Sequence, residues 1–241
     1  MLHHTRGIVL HHLRYSETSV IARIYTEKFG LQSYLIRGVR SPKAKIRLGS
    51  LEHLTLLEMV VYYREGRSLQ NIKELRPAYA FRSMHSDIRK SSQALFINEV
   101  IFKSVKEEEC NTALFDFLFA CIEELDNPQV FSPHFHLAFM ARLAGFLGFA
   151  PRLNYTPQSW FNLQEGHFEE MQPLHSHSIA PEHAGYFNFL LNKPAPEDPQ
   201  IMIPGSSRKV LLEKLIEFYE LHLPSFGGLR SPEILHEVLK D

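Results

Sequence analysis

The period of the hydrophobic residues changes once along this chain, near Pro77, and that change bounds what the chain can fold into. Before it, apolar residues come in short alternating runs: Thr5 to Leu13, Val20 to Thr26, Leu31 to Ile36, Leu54 to Tyr63 and Leu69 to Leu75. Alternation with a period of two turns one face of each run inward, as in half-buried strands. Turn-forming residues separate the runs: Tyr15-Ser16-Glu17-Thr18, Lys28-Phe29-Gly30 and Glu65-Gly66-Arg67. Five short strands with no long helix between neighbours predict a small antiparallel barrel or sandwich. A five-stranded OB-type barrel is one such solution, and its face commonly takes single-stranded nucleic acid.

After Phe81 the spacing becomes helical. Ile88, Leu95, Phe96, Val100 and Ile101 mark a helix within Ser83 to Lys106, and Thr112 to Leu125 follows with Asn111 as its cap. Ser132-Pro133 predicts a cap and first-turn proline for a helix running to about Phe149. Ser206 caps a predicted helix to Leu223, and Ser231-Pro232-Glu233 opens a last one to Leu239. Two short strands around Glu165-Gly166 form a hairpin at about 159–170, and the proline-rich Lys193 to Pro199 predicts a stiff surface connection. The expected fold is therefore α+β. A five-stranded OB-type barrel over 1–77 precedes a mostly helical domain over 78–241 that carries the hairpin.

Composition narrows the function. Of 241 residues 44% are hydrophobic and 22% charged, which describes a globular chain with a real core. Two cysteines exclude a disulfide framework and a four-cysteine metal site. The first residues lack the apolar run of a signal peptide. The most membrane-like stretch, Ser132 to Ala150, holds His134, His136 and Arg142 and lies between prolines, so it reads as a buried helix. A cytoplasmic setting is expected.

The formal net charge of −1 conceals an asymmetry. Residues 1–80 carry 13 Lys and Arg against 6 Asp and Glu, a net of +7, whereas residues 81–241 stand at −8. A basic barrel points to a polyanion, and an acidic helical part points to some other partner. The densest basic stretch, from Arg37 to Arg47, holds Arg37, Arg40, Lys43, Lys45 and Arg47 with no anion. Neutralising phosphates with such a loop gives salt-sensitive, sequence-blind binding. Arg14, Arg23 and Arg64 are second-rank candidates. Tyr34, Tyr62, Tyr63 and Phe29 are candidate stacking platforms, with Tyr34 retained among the site residues.

Chemistry finds little support in the sequence. Fourteen histidines lack metal-binding spacing: His134 and His136, two apart on a helix, point away from each other, and no His-Glu-x-x-His occurs. Cys110 follows three glutamates that oppose a thiolate, and Cys121 sits in an apolar helix. Neither glycine-rich nucleotide motif is present. Gly145 and Gly148 are read as sites of close helix packing. No catalytic residue, cofactor or metal is expected.

Ordered pieces of the chain resemble the RecO family of bacterial recombination mediators. They are Gly7-Ile8-Val9-Leu10, Tyr15-Ser16-Glu17-Thr18-Ser19, Tyr25-Thr26-Glu27-Lys28-Phe29-Gly30, Ile36-Arg37-Gly38-Val39-Arg40 and Leu57-Glu58. The second half adds Leu143 to Pro151 and Phe161 to Gly166. The resemblance implies an OB barrel and a helical domain that bind single- and double-stranded DNA and anneal strands. It also implies action with RecR and single-stranded-DNA-binding protein to load RecA, without covalent chemistry, in the cytoplasm at the nucleoid.

One departure stands out. Some RecO proteins flank the hairpin with four zinc-binding cysteines. Here the flanks read Tyr155-Thr156-Pro157-Gln158-Ser159 and Pro173-Leu174-His175-Ser176-His177. His175 and His177 supply two ligands at most, so Trp160, Phe161 and Phe168 are expected to hold the hairpin instead. The competing readings are an OB-fold RNA-binding factor and a histidine-based metal hydrolase.

Overall fold

The computed structural model describes residues 1–39, 46–192 and 202–239. The alternating runs become β1 (Leu2–Arg14), β2 (Val20–Thr26), β3 (Gly30–Ile36), β4 (Leu56–Tyr62) and β5 (Gln70–Pro77). They close into a barrel in the order β1-β2-β3-β5-β4, with β4 returning to β1. This is the OB-type arrangement. The barrel is not wholly antiparallel, since β3 and β5 run parallel where Tyr34 faces Gln70 and Leu35 faces Asn71. Long β1 pairs with both β2 and β4, and a bulge between Val9 and His11 lets it bend from one to the other. A single 3-10 turn, Leu48–Leu51, precedes β4.

Inward residues alternate as the sequence requires. Val9, Val20, Ala22, Ile24, Tyr34, Ile36, Leu57, Met59 and Val61 fill the interior with Leu51. The first compact unit is larger than the barrel, comprising Met1–Asp87 and Val105–Asn127. Its helix α2 (Thr112–Leu125) starts at Asn111, whose Oδ1 accepts the Leu114 amide at 3.0 Å. Arg6 joins this helix to β1 and β2. Its guanidinium donates to Glu27 at 2.9 Å and Asp116 at 2.8 Å and lies 4.9 Å from the Phe115 ring centre. The segment before α2 crosses the β2–β3 turn at Gly30, and the Leu31 amide donates to the Glu107 carbonyl at 2.9 Å.

The second unit takes Ile88–Ser104 and the chain from Pro128 onward. A single cut near Pro77 therefore does not describe the compact units: α2 belongs with the barrel and α1 (Ile88–Ser104) with the rest. The other helices are α3 (Phe135–Phe146), α4 (Pro181–Asn192), α5 (Gly205–His222) and α6 (Ser231–Val238). The hairpin β6 (Trp160–Asn162) and β7 (His167–Glu169) gains a third strand, β8 (Ser178–Ile179), in the order β7-β6-β8. Neither α4 nor β8 is evident in the sequence: α4 carries Gly185 in its interior, and β8 is two residues long.

Several expected caps fall elsewhere. Ser132 does not cap α3, which begins three residues later, and α5 begins after Pro204 rather than Ser206. Ser231 is the first residue of α6, and its cap is Glu99 of α1. The Glu99 carboxylate accepts the Arg230 amide at 2.9 Å, the Ser231 amide at 2.9 Å and the Ser231 hydroxyl at 2.5 Å. Gly148 is no packing site, having open space where a side chain would be. Its φ of +90° ends α3, with the Phe149 amide donating to Ala144 and the Gly148 amide to Gly145. The proline-rich expectation over Lys193 to Pro199 lies outside the described residues.

A candidate nucleic-acid interface on the barrel

The outer face of β3, β5 and β4 carries a groove of about 800 Å³. Its floor starts from register. Leu35 and Tyr62 both sit opposite Asn71, so the three form one row across three strands and point the same way. Tyr62 is 47% exposed on this floor, while Ile72 and Leu75, paired with inward Val61 and Met59, pack against the barrel core and also line the groove. Cations stand around it: Arg37 just beyond β3, Arg64 and Arg67 in the β4–β5 turn, and Lys73 on β5. Glu74, the one acid of the lining among the described residues, lies 3.5 Å from Lys73.

The turn that presents Arg64 and Arg67 is fixed from beneath. Gln70 is 2% exposed, and its amide accepts the Arg64 amide at 3.0 Å and donates to the Arg64 carbonyl at 2.8 Å and the Arg67 carbonyl at 3.0 Å. Arg37 in turn donates to Asn71 Oδ1 at 3.2 Å. The backbone of the turn and the Arg37 guanidinium thus each have a fixed partner.

Of the residues expected from sequence, Arg37 and Arg64 meet in this groove. Arg40, Lys43 and Lys45 lie outside the described residues, while Gly38 and Ile46, on either side of that segment, both line the groove. Arg47 is exposed next to Ile46, outside the lining. Arg14 and Arg23 are not brought to it. Arg14 ends β1 with Nε donating to the Ser16 carbonyl at 3.3 Å, and Arg23 sits on β2 across from His11 and Ser33.

Tyr34 must be withdrawn from the set. Its ring is 0% exposed in the barrel core, and burial pushes its phenol well above the ordinary value. Even-numbered residues of β3 face inward, which places Tyr34 beside Ile36 and leaves Leu35 outside. Tyr63 and Phe29 also pack inward, stacked on each other with centroids 4.0 Å apart. Tyr62 is the aromatic that remains on the outside. Arg67, Lys73 and Asn71 were not singled out from sequence. The signal that could have found them is the basic character of both arms of the Arg64–Lys73 hairpin.

The second unit organises its histidines structurally. His177 Nδ1 donates to Glu217 Oε1 at 2.5 Å, and Lys214 donates to the other oxygen at 2.8 Å. His136 is buried, donated to by Gln93 at 3.4 Å, and burial pushes it down to about 3, so it stays neutral. Among the described residues no three His, Cys, Asp or Glu side chains are grouped to hold a metal ion. The hairpin instead wraps an aromatic centre: Phe161 meets Phe187 at 4.6 Å, Phe168 at 4.8 Å and Phe218 at 5.8 Å.

A closed OB-type barrel joined in one chain to a helical unit with a small sheet is, by the family models it matches, the architecture of a class of DNA recombination proteins. Residues 1–81 match the family model for the N-terminal part of recombination protein O, and residues 85–232 match that for its C-terminal part. The chain is 36% identical over 240 residues to the DNA repair protein RecO of Bacteroides fragilis, covering 99% of each. It is 34% identical to RecO of Phocaeicola vulgatus, covering 99% of each, and 33% to that of Flavobacterium psychrophilum, covering 97% of this chain and 98% of the other. The chain belongs to the RecO family. Among the described residues no helix is long and apolar enough to cross a membrane.

Proposed function

We propose that this protein is a non-enzymatic recombination mediator whose barrel captures single- and double-stranded DNA by its backbone and holds strands for annealing. The observation that carries the reading is the groove: Arg37, Arg64, Arg67 and Lys73 surround one apolar floor, with a single acid among the lining residues. Adjacent Arg40, Lys43 and Lys45 extend the positive charge along the chain. Cations so placed neutralise neighbouring phosphates, release counterions and lower the repulsion between two strands brought close together. The helical unit is the part that engages protein partners. On this reading they are RecR and single-stranded-DNA-binding protein, with RecA loading as the outcome, at the nucleoid in the cytoplasm.

The test is fluorescence anisotropy of labelled single-stranded and duplex DNA across a salt series, with unlabelled RNA as competitor. Charge reversal at Arg64 and Arg67 should weaken binding about equally for all sequences and lower the salt slope by about one per phosphate contact removed. Unchanged affinity and slope would remove the groove from the mechanism, and preferential capture by RNA would overturn the DNA assignment.

A further inference from the structure

Resting on that reading, we infer that Tyr62 makes the groove a subsite for unpaired bases, so that one residue favours single strands over duplex at this site.

The two kinds of lining residue fit two different parts of a nucleic acid. Arg37, Arg64, Arg67 and Lys73 fit phosphates, which single strands and duplexes both present. The floor of Tyr62 and Leu35 fits the flat face of a base. A duplex hides those faces inside its own stack, so an apolar floor between cations adds nothing to duplex binding. A single strand exposes them, and a ring standing 47% exposed amid positive charge is placed to take one.

The lining also explains why such a subsite would not read sequence. Asn71 is the one side-chain amide there, and its oxygen accepts Arg37 at 3.2 Å. Glu74 lies beside Lys73 at 3.5 Å. The groove thus holds a base by its face rather than by its pairing edge. A base held this way keeps its Watson–Crick edge turned outward, where a complementary strand can pair with it. Capture and annealing then use different sides of the same nucleotide.

Tyr62 is exposed, so its replacement leaves the barrel core filled, and the thermal midpoint checks that the variant folds. Three labelled probes are compared by anisotropy at one salt concentration: oligo-dT, an oligomer of abasic sites with the same phosphate count, and a duplex. Tyr62→Ala should weaken oligo-dT binding about tenfold, leave the duplex and abasic probes unchanged, and thereby erase the wild-type preference for dT over abasic DNA. Tyr62→Phe should restore that preference. Equal losses on all three probes, or none on dT, would overturn the stacking subsite. If Arg64→Glu with Arg67→Glu still weakens all three probes in that case, the groove remains a backbone site and the wider function stands. If that charge reversal also changes nothing, both readings fall together.

Discussion

Gln70 and Arg64 are joined by a reciprocal pair of hydrogen bonds, the buried side-chain amide accepting the Arg64 amide at 3.0 Å and donating to its carbonyl at 2.8 Å. An uncharged residue thereby sets where two of the groove's cations stand. Gln70→Ala removes no charge but takes away three part-buried hydrogen bonds to the turn's backbone, at a cost of about 1–2 kcal/mol. The expected result in urea denaturation is a lower midpoint, together with weaker DNA binding whose salt slope is preserved. Wild-type affinity in this variant would show that the turn holds its position without Gln70.

Glu99 caps α6 by accepting from three donors, the Arg230 amide, the Ser231 amide and the Ser231 hydroxyl. Burial opposes its charge, yet the bonds from Ser231 and Arg230 outweigh that and hold the carboxyl below its ordinary 4.5. A group whose folded pKa is depressed stabilises above the unfolded value and loses that contribution as pH falls through the folded one. Stability from Glu99 is therefore complete at neutral pH and declines below about 4.5. Glu99→Gln should lose about 1 kcal/mol at pH 7, and the gap to wild type should narrow on acidification. A gap that stays constant from pH 7 to pH 3 would refute the charged cap.

At Gly30, φ is +60°, and a Cβ would stand 2.4 Å from the Glu109 carbonyl oxygen and 2.5 Å from that of Glu107. Both obstacles are backbone, so neither can rotate aside. Gly30→Ala should destabilise the barrel unit by on the order of 3 kcal/mol, through strain and displacement of the segment leading into α2. Hydrogen exchange should show faster exchange at the Leu31 amide, which donates to Glu107.

The hairpin in the second unit rests on Phe161, 0% exposed amid Phe168, Phe187 and Phe218. Phe161→Ala should cost about 3–5 kcal/mol. Incubation with EDTA should leave the wild-type thermal midpoint where it is. A drop on chelation would mean that a metal shares the work assigned to these rings.

What could be read from the sequence divides along physical lines. The five strands were legible because alternation is local: each inward Val, Ile or Leu announces its face within a few residues. The groove was legible in charge but not in membership, because Leu35 joins Asn71 and Tyr62 through a parallel pairing that no local pattern encodes. The same non-local fact separates the stacking candidates. Tyr62 and Tyr63 are adjacent and equivalent in sequence, and the register turns one outward and the other inward against Phe29. Capping shows the same limit. Asn111 caps its own helix and was legible, whereas Glu99 caps a helix 132 residues away.

That distant cap has a consequence for synthesis. The ribosome delivers the chain in order, and the barrel unit holds all its residues once Asn127 has emerged. Helix α1 emerges earlier still, yet Ile97, Val100 and Ile101 lie on a helix packed against α6, whose residues arrive after position 230. Until then α1 has apolar surface without its full cover. The nascent protein would carry a complete barrel unit while the helical unit still waits for α6 to cover α1.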